Sequence, residues 1–162
     1  MKGYMHDYEK AIATLDEIPG IARRNAKVIL TETGLDMSRF PSAAHLCSWA
    51  GVCPGNNQSA SKKRIGRTRK SNKSVKTTLT QCAKAAKRVK KSYFSAQYQR
   101  ITARRGKNRA TMAVSHSILI AIYHILIFHV PYHDFGSTYY DNFNREHKIN
   151  GYLNRAVFLP AV

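Results

Sequence analysis

The segment TMAVSHSILIAIYHILIFHV, residues 111–130, constrains the fold more than any other stretch. It is apolar over nearly the length needed to cross a bilayer. Either lipid or the rest of this chain must cover it. Ser115, His116, Ser117, His124 and His129 interrupt it, and side chains of this kind are costly in hydrocarbon. A buried core helix, ending before Pro131, is therefore favoured over a membrane span.

A core helix needs partners, and the sequence supplies them. Met5, Tyr8, Ile12 and Leu15 recur at helical spacing, which predicts a helix over 5–15. Pro19-Gly20 marks a tight turn, after which Ile21, Ala22, Ala26, Ile29 and Leu30 predict a second helix ended by Gly34. Residues 41–50 read as a short helix with Pro41 at its start. Trp49 is expected in the core, with stacking on a base as the alternative. From Asn72 the stripe Val75, Leu79, Cys82, Ala86, Val89 and Tyr93 predicts one continuous amphipathic helix. Its other faces carry Lys73, Lys76, Lys84, Lys87, Arg88, Lys90 and Lys91 and are read as phosphate-facing. A short helix over 94–104, a basic turn at Gly106 and a last helix over 138–155 complete the pattern. The expected fold is mainly α: a compact helical domain with a helix-hairpin-helix-like N-terminal element and a basic loop, with little or no sheet. It is one domain over 1–162, with the hairpin at 8–34, the basic loop at 55–72 and the helical core at 73–156.

Charge narrows the class of partner. There are 27 Lys and Arg against 9 Asp and Glu, a net charge of +18. Solubility alone does not require so much, and a polyanion is the implied partner. No carboxylate lies between Asp36 and Asp134, whereas 18 of the basic residues fall between Lys62 and Arg109. So one-sided a stretch reads as an electrostatic footprint rather than as a mixed solvated face. Cys47, Cys53 and Cys82 form no CxxC pattern, which argues against a zinc site or disulfide framework and for a reducing cytoplasm. MKGYMHDYEK has no apolar core and is not a signal peptide.

The same scarcity of acids limits the chemistry. Magnesium-dependent enzymes acting on nucleic acid hold their metal with several carboxylates. Asp16-Glu17 and Asp134 with Asp141 are possible pairs, but helix capping and local charge balance explain them better. His116 and His124 share a helix face at two turns, where core or interhelical hydrogen bonds are favoured over zinc ligation. A hydroxyl nucleophile remains. In NQSASKKRIGRTRKSNKS, residues 57–74, Ser59 and Ser61 precede Lys62, Lys63 and Arg64, with Arg67, Arg69, Lys70 and Lys73 beyond. Cations beside a serine stabilise its alkoxide and the charge of a phosphorane, although serines that merely contact phosphate are the commoner case. Arg23, Arg24 and Lys27 flank the Pro19-Gly20 turn, at a helix N-terminus where a phosphate can sit. An ordinary helical hairpin is the alternative.

LDEIPGIARRNAKVILTETGLDMSRFPSAAHLCSWAGVCPG, QSASKKRIGRTRKSNKSVKTTL, RRGKNRATMAVSHSILIAIYHIL and PYHDFGSTYYDNFNREH together resemble, in order, the C-terminal transposase domain of the "one-ten" type insertion-sequence transposases, which are bridge-RNA-guided recombinases. The resemblance runs over roughly residues 10–155. It implies that Ser59 is the nucleophile, forming a covalent serine–DNA intermediate. It implies DNA and a structured guide RNA as partners, read mainly through their backbones, and homo-oligomers on DNA. It further implies an N-terminal RuvC-like domain, missing here, that holds Mg2+, with no cofactor in this chain. The setting is the bacterial or archaeal cytoplasm, with no membrane. Three family glycines differ: Ala22 and Ala60 replace two, and Ser71 stands before Asn72 in place of the third. Two readings compete with it. One is a non-enzymatic helix-hairpin-helix module that binds DNA or RNA. The other is a basic protein of a membrane surface or ribosome.

Overall fold

The computed structural model describes residues 2–53, 58–59, 62–63, 71–143, 145 and 149–150. Among them are six α-helices: α1 (Lys2–Asp16), α2 (Arg23–Thr33), α3 (Ala43–Trp49), α4 (Lys73–Ala86), α5 (Tyr93–Arg105) and α6 (Lys107–Phe128). A 3-10 turn covers Met37–Arg39, and two two-residue strands, β1 (Gln58–Ser59) and β2 (Lys62–Lys63), form the only sheet among these residues. The fold is mainly α, as the periodicities predict.

The apolar segment is the axis of the core. α6 packs on α5, α4 and α3, with a smaller contact to α1. Among the described residues it is the one helix long and apolar enough to cross a membrane, yet Val114, Ile118, Leu119 and Ile122 are fully buried against the neighbouring helices. Its polar atoms find partners. The buried Ser115 hydroxyl lies 2.9 Å from the Thr111 carbonyl and 3.2 Å from the Leu79 carbonyl. The Tyr123 hydroxyl donates to the Phe40 carbonyl at 3.1 Å. A hydroxyl buried without an acceptor would cost about 1–3 kcal/mol, so these bonds fix which face of α6 meets α4 and α3.

α1 and α2 form the expected helical hairpin. Ile12, Leu15, Ile18 and Ile21 are buried beneath it, and Gly34 ends α2 at φ +79° with its N–H on the Leu30 carbonyl. The short third helix starts two residues later than expected: Ser42 caps it, accepting the His45 N–H, and Pro41 precedes the cap. Trp49 is not a core residue. It is 37% exposed, its ring tilted against Phe40 at a centroid distance of 5.6 Å.

The stripe from Val75 to Tyr93 is not one helix. α4 stops at Ala86, Lys91 is left-handed at φ +65°, and Ser92 caps α5 by accepting the Ser95 N–H at 3.2 Å. Val89, which continues the stripe in the sequence, is 42% exposed. The bend turns Phe94 into the core, 2% exposed, which a straight helix would not do. After α6, residues 139–143 are helical, as are 145 and 149–150; the rest of the expected last helix lies outside the described residues.

Candidate nucleic-acid interface

Asn72 leads the basic segment into α4. Its Oδ1 accepts the Val75 N–H at 3.2 Å and caps the helix, and its Nδ2 donates to Glu32 Oε2 at 2.7 Å. Glu32 lies near the end of α2. At the other end of the helix pair, a Cβ built on Gly20 would stand 2.5 Å from both the Ala86 nitrogen and the Cys82 carbonyl oxygen. α2 and α4 therefore run antiparallel, locked at both ends.

This arrangement separates the expected contact residues. Lys73 is exposed in the first turn of α4, beside Asn72. Upstream, β1 and β2 pair antiparallel, Ser59 directly opposite Lys62 and Gln58 opposite Lys63. Two residues connect the strands, the length of a tight hairpin. Arg64, Arg67, Arg69 and Lys70 lie outside the described residues, as does Ala60. Arg23 and Arg24 occupy the first turn of α2, at the opposite end of the α2–α4 pair. α4 alone rises about 20 Å over its length. Lys73 and the Arg23–Arg24 pair therefore do not share one patch.

The hairpin group is also partly neutralised from within. Arg23 Nη2 lies 2.7 Å from Glu9 Oε2, and Lys27 Nζ lies 3.9 Å from Glu9 Oε1, all three side chains being about half exposed. Arg24 is exposed and has no ion pair among the described residues. The Pro19-Gly20 turn itself is spoken for: the Ile18 and Ile21 N–H groups bond to Leu15 and Ile18 carbonyls, and Gly20 packs on α4. What the hairpin offers a phosphate is the first turn of α2, whose N-cap Ala22 supplies no side-chain acceptor.

The buried thiols and two of the phenols are disfavoured as nucleophiles. Burial pushes the Cys47 thiol up to about 12 and the Cys82 thiol up to about 11. Burial also pushes the Tyr132 and Tyr140 phenols up. Asp134 is a cap: its Oδ1 accepts the Tyr93 N–H at 2.9 Å and the Gly136 N–H at 2.8 Å, at the start of α5. His124 stacks on Phe128 at 5.8 Å. Among the described residues no three His, Cys, Asp or Glu side chains gather as metal ligands.

The sequence places Lys87, Arg88, Lys90 and Lys91 on the outer faces of a straight helix. They instead line the bend between α4 and α5, together with Arg100 from α5. The run KRVKK is the available signal, but it shows a charge, not a concavity.

No curated protein matches the chain. A family model described as "Transposase IS116/IS110/IS902 family" matches residues 12–99, more than half of its length. The match begins within α1, takes in the hairpin, the Ser59–Lys62 pairing and the Asn72-capped α4, and ends in α5. The chain belongs to the IS116/IS110/IS902 family of transposases.

Proposed function

We propose that this chain is the C-terminal domain of a DNA transposase, that it grips the nucleic-acid backbone through its basic loop, and that Ser59 is its nucleophile. The observation that carries the reading is the direct pairing of Ser59 with Lys62, in a transposase-family chain with no acid between Asp36 and Asp134. Directly opposed positions of an antiparallel pair stand about 5 Å apart at Cβ. A phosphate at the serine is then within reach of the lysine. In the step itself the Ser59 hydroxyl loses its proton and its oxygen bonds to phosphorus. One ester P–O bond breaks, leaving a phosphoserine–DNA linkage and a strand ending in a free hydroxyl. Lys62, Lys63, Arg64, Arg67, Arg69, Lys70 and Lys73 neutralise the charge that develops on the phosphoryl oxygens. Arg24, with Arg23 and Lys27 beside it, holds backbone at the far end of the α2–α4 pair.

Among the described residues no carboxylates gather as Mg2+ would need. The metal belongs to the RuvC-like domain that the family resemblance implies. The guide RNA and assembly into oligomers belong to the same reading. Ile127, Phe128 and Val130, at the exposed end of α6, are the surface offered for a subunit contact.

Two measurements test this. Binding to DNA and structured RNA across a salt series should show a steep slope, about 0.9 per phosphate neutralised on duplex, with Ser59→Ala within about twofold of the parent. Combined with its N-terminal domain, the protein should leave a covalent adduct on DNA that disappears in Ser59→Ala. No adduct under conditions that support transposition would reduce the chain to a nucleic-acid-binding module. Strand transfer by the isolated chain would refute the composite site.

A further inference from the structure

The bend between α4 and α5 is a shaped, strongly basic groove. Hydrogen bonds from serine side chains to the main chain fix it. The Ser92 hydroxyl donates to the Val89 carbonyl at 2.9 Å, and the Ser95 hydroxyl donates to the Lys87 carbonyl at 3.0 Å. Lys91 sits left-handed between them. The opposite wall is the segment 137–141. It is held by the Asp134 cap on the Tyr93 and Gly136 N–H groups, and by Tyr140, whose ring stacks on Tyr93 at 5.2 Å while their hydroxyls bond at 2.8 Å. Between the walls lies a volume of about 720 Å³, lined by Lys87, Arg88, Lys90, Lys91, Arg100 and Tyr140.

Five cations line this groove, with Asp141 as the one carboxylate on its wall among the described residues. Arg88, Lys90 and Lys91 are exposed and make no ion pair among the described residues. Like charges crowded this closely repel one another, and a polyanion relieves the repulsion. The groove also has an aromatic margin. The Arg100 guanidinium lies 5.2 Å above the Tyr140 ring. Tyr139, between the lining residues Thr138 and Tyr140 but outside the lining itself, contacts Phe135 at 5.2 Å and Phe143 at 6.3 Å, and these two rings are 62% and 58% exposed.

We infer that this groove binds single-stranded nucleic acid, its cations along the phosphates and Phe135 and Phe143 stacking on unpaired bases. The inference rests on the nucleic-acid-binding reading for its class of partner, but on none of the loop residues. A duplex is too broad to enter a cleft of about 720 Å³, and its base faces are hidden from exposed rings. A flexible strand with free bases fits both. The groove adjoins the end of α4, whereas Asn72 and Lys73 stand at its start.

The test uses the full chain and fluorescent probes of roughly 15 nucleotides, oligothymidine, oligouridine and a duplex of the same length, at about 100 mM salt and across a salt series. Arg88→Gln/Lys90→Gln/Lys91→Gln should weaken single-strand binding about tenfold and take about 2 off its salt slope, near 0.7 for each phosphate no longer neutralised. Phe135→Ser/Phe143→Ser should weaken binding of the same probes about tenfold, because the bases have no ring to stack on. Duplex binding should change less than about threefold with either variant. Oligothymidine against oligouridine tells whether DNA or RNA is the preferred strand. Matching circular dichroism and Tm check that the variants are folded. Unchanged single-strand affinity in the charge variant overturns the site, as does an equal loss on duplex and single strand. A ring variant that binds like the parent overturns the single-strand assignment. Lys62→Gln/Lys63→Gln/Arg64→Gln separates the two readings. If it leaves every probe bound while the groove variants lose the single strand, the loop reading fails and the groove stands.

Discussion

Asn72 joins two helices with one side chain: its amide nitrogen donates to Glu32 on α2 at 2.7 Å, and its amide oxygen caps α4 through the Val75 N–H at 3.2 Å. The basic segment thus re-enters the core at a position fixed in both direction and height. Asn72→Ala removes the cap and the cross-link together. The expected loss is about 1–2 kcal/mol, read as a lower urea midpoint at unchanged slope. Asn72→Asp keeps the cap acceptor but sets a carboxylate against Glu32. It should lose stability at neutral pH and regain part of it in high salt. An alanine variant as stable as the parent would sink this account.

Gly20 and Ala86 define the other lock. The Cβ of an alanine at 20 would fall 2.5 Å from the Ala86 nitrogen and 2.7 Å from the Ala86 Cβ, at φ +91°. Gly106 supplies the control, since it also has a positive φ, +83°, but a Cβ there meets nothing within 4 Å. Gly106→Ala should cost about 1–3 kcal/mol from backbone strain alone. Gly20→Ala adds overpacking against main chain that cannot swing away, about 1–3 kcal/mol more. Denaturant titration of the two variants gives the difference directly. Equal losses would mean that α2 and α4 are not in contact at this turn.

These two contacts also mark what is legible in the sequence and what is not. Periodicity and punctuation locate α1, α2, α5 and α6, because Pro19-Gly20, Gly34, Gly106 and Pro131 bracket their apolar stripes. The end of α4 is illegible, since Val89 and Tyr93 fall on the helical spacing although the chain has already turned. Trp49 is misjudged because residue type alone says how often tryptophan is buried, not that the face it occupies here is open beside Phe40. The basic character of 57–74 is plain from composition. That Arg23 and Arg24 lie at the far end of α4 from Lys73 is not, because it follows from the antiparallel docking of α2 on α4. The groove at 87–91 needs the bend, which is tertiary in origin: Phe94 must reach the core.

The cysteines offer a check on packing. Thiolate is the reactive form, and burial holds Cys47 up at about 12 and Cys82 at about 11. Cys53 is less buried, and its thiol is raised as well. Iodoacetamide at about pH 8 should therefore alkylate Cys53 alone, and slowly. In concentrated guanidinium all three should react at the same rate. Mass spectrometry of peptic fragments reads the pattern, and early labelling of Cys82 would contradict the packing of α4 on α2.

His116 provides the pH dependence. It sits half-buried on α6, and burial holds its imidazole below the ordinary value of about 6.5. The native state therefore favours the neutral ring, while the unfolded chain takes up the proton at higher pH. Stability from this group is complete above the unfolded value and is lost as pH falls through it toward the folded value. Asp36 also has a lowered value, chiefly through its hydrogen bond with Ser38, but as a carboxylate it titrates in a more acidic window. Tm should be flat near neutrality and fall as pH drops below about 6.5. His116→Gln keeps a polar side chain without the titration and should flatten that limb, whatever it does to the plateau. A limb of unchanged slope in the variant would assign the acid sensitivity to another group and remove His116 from the account of stability.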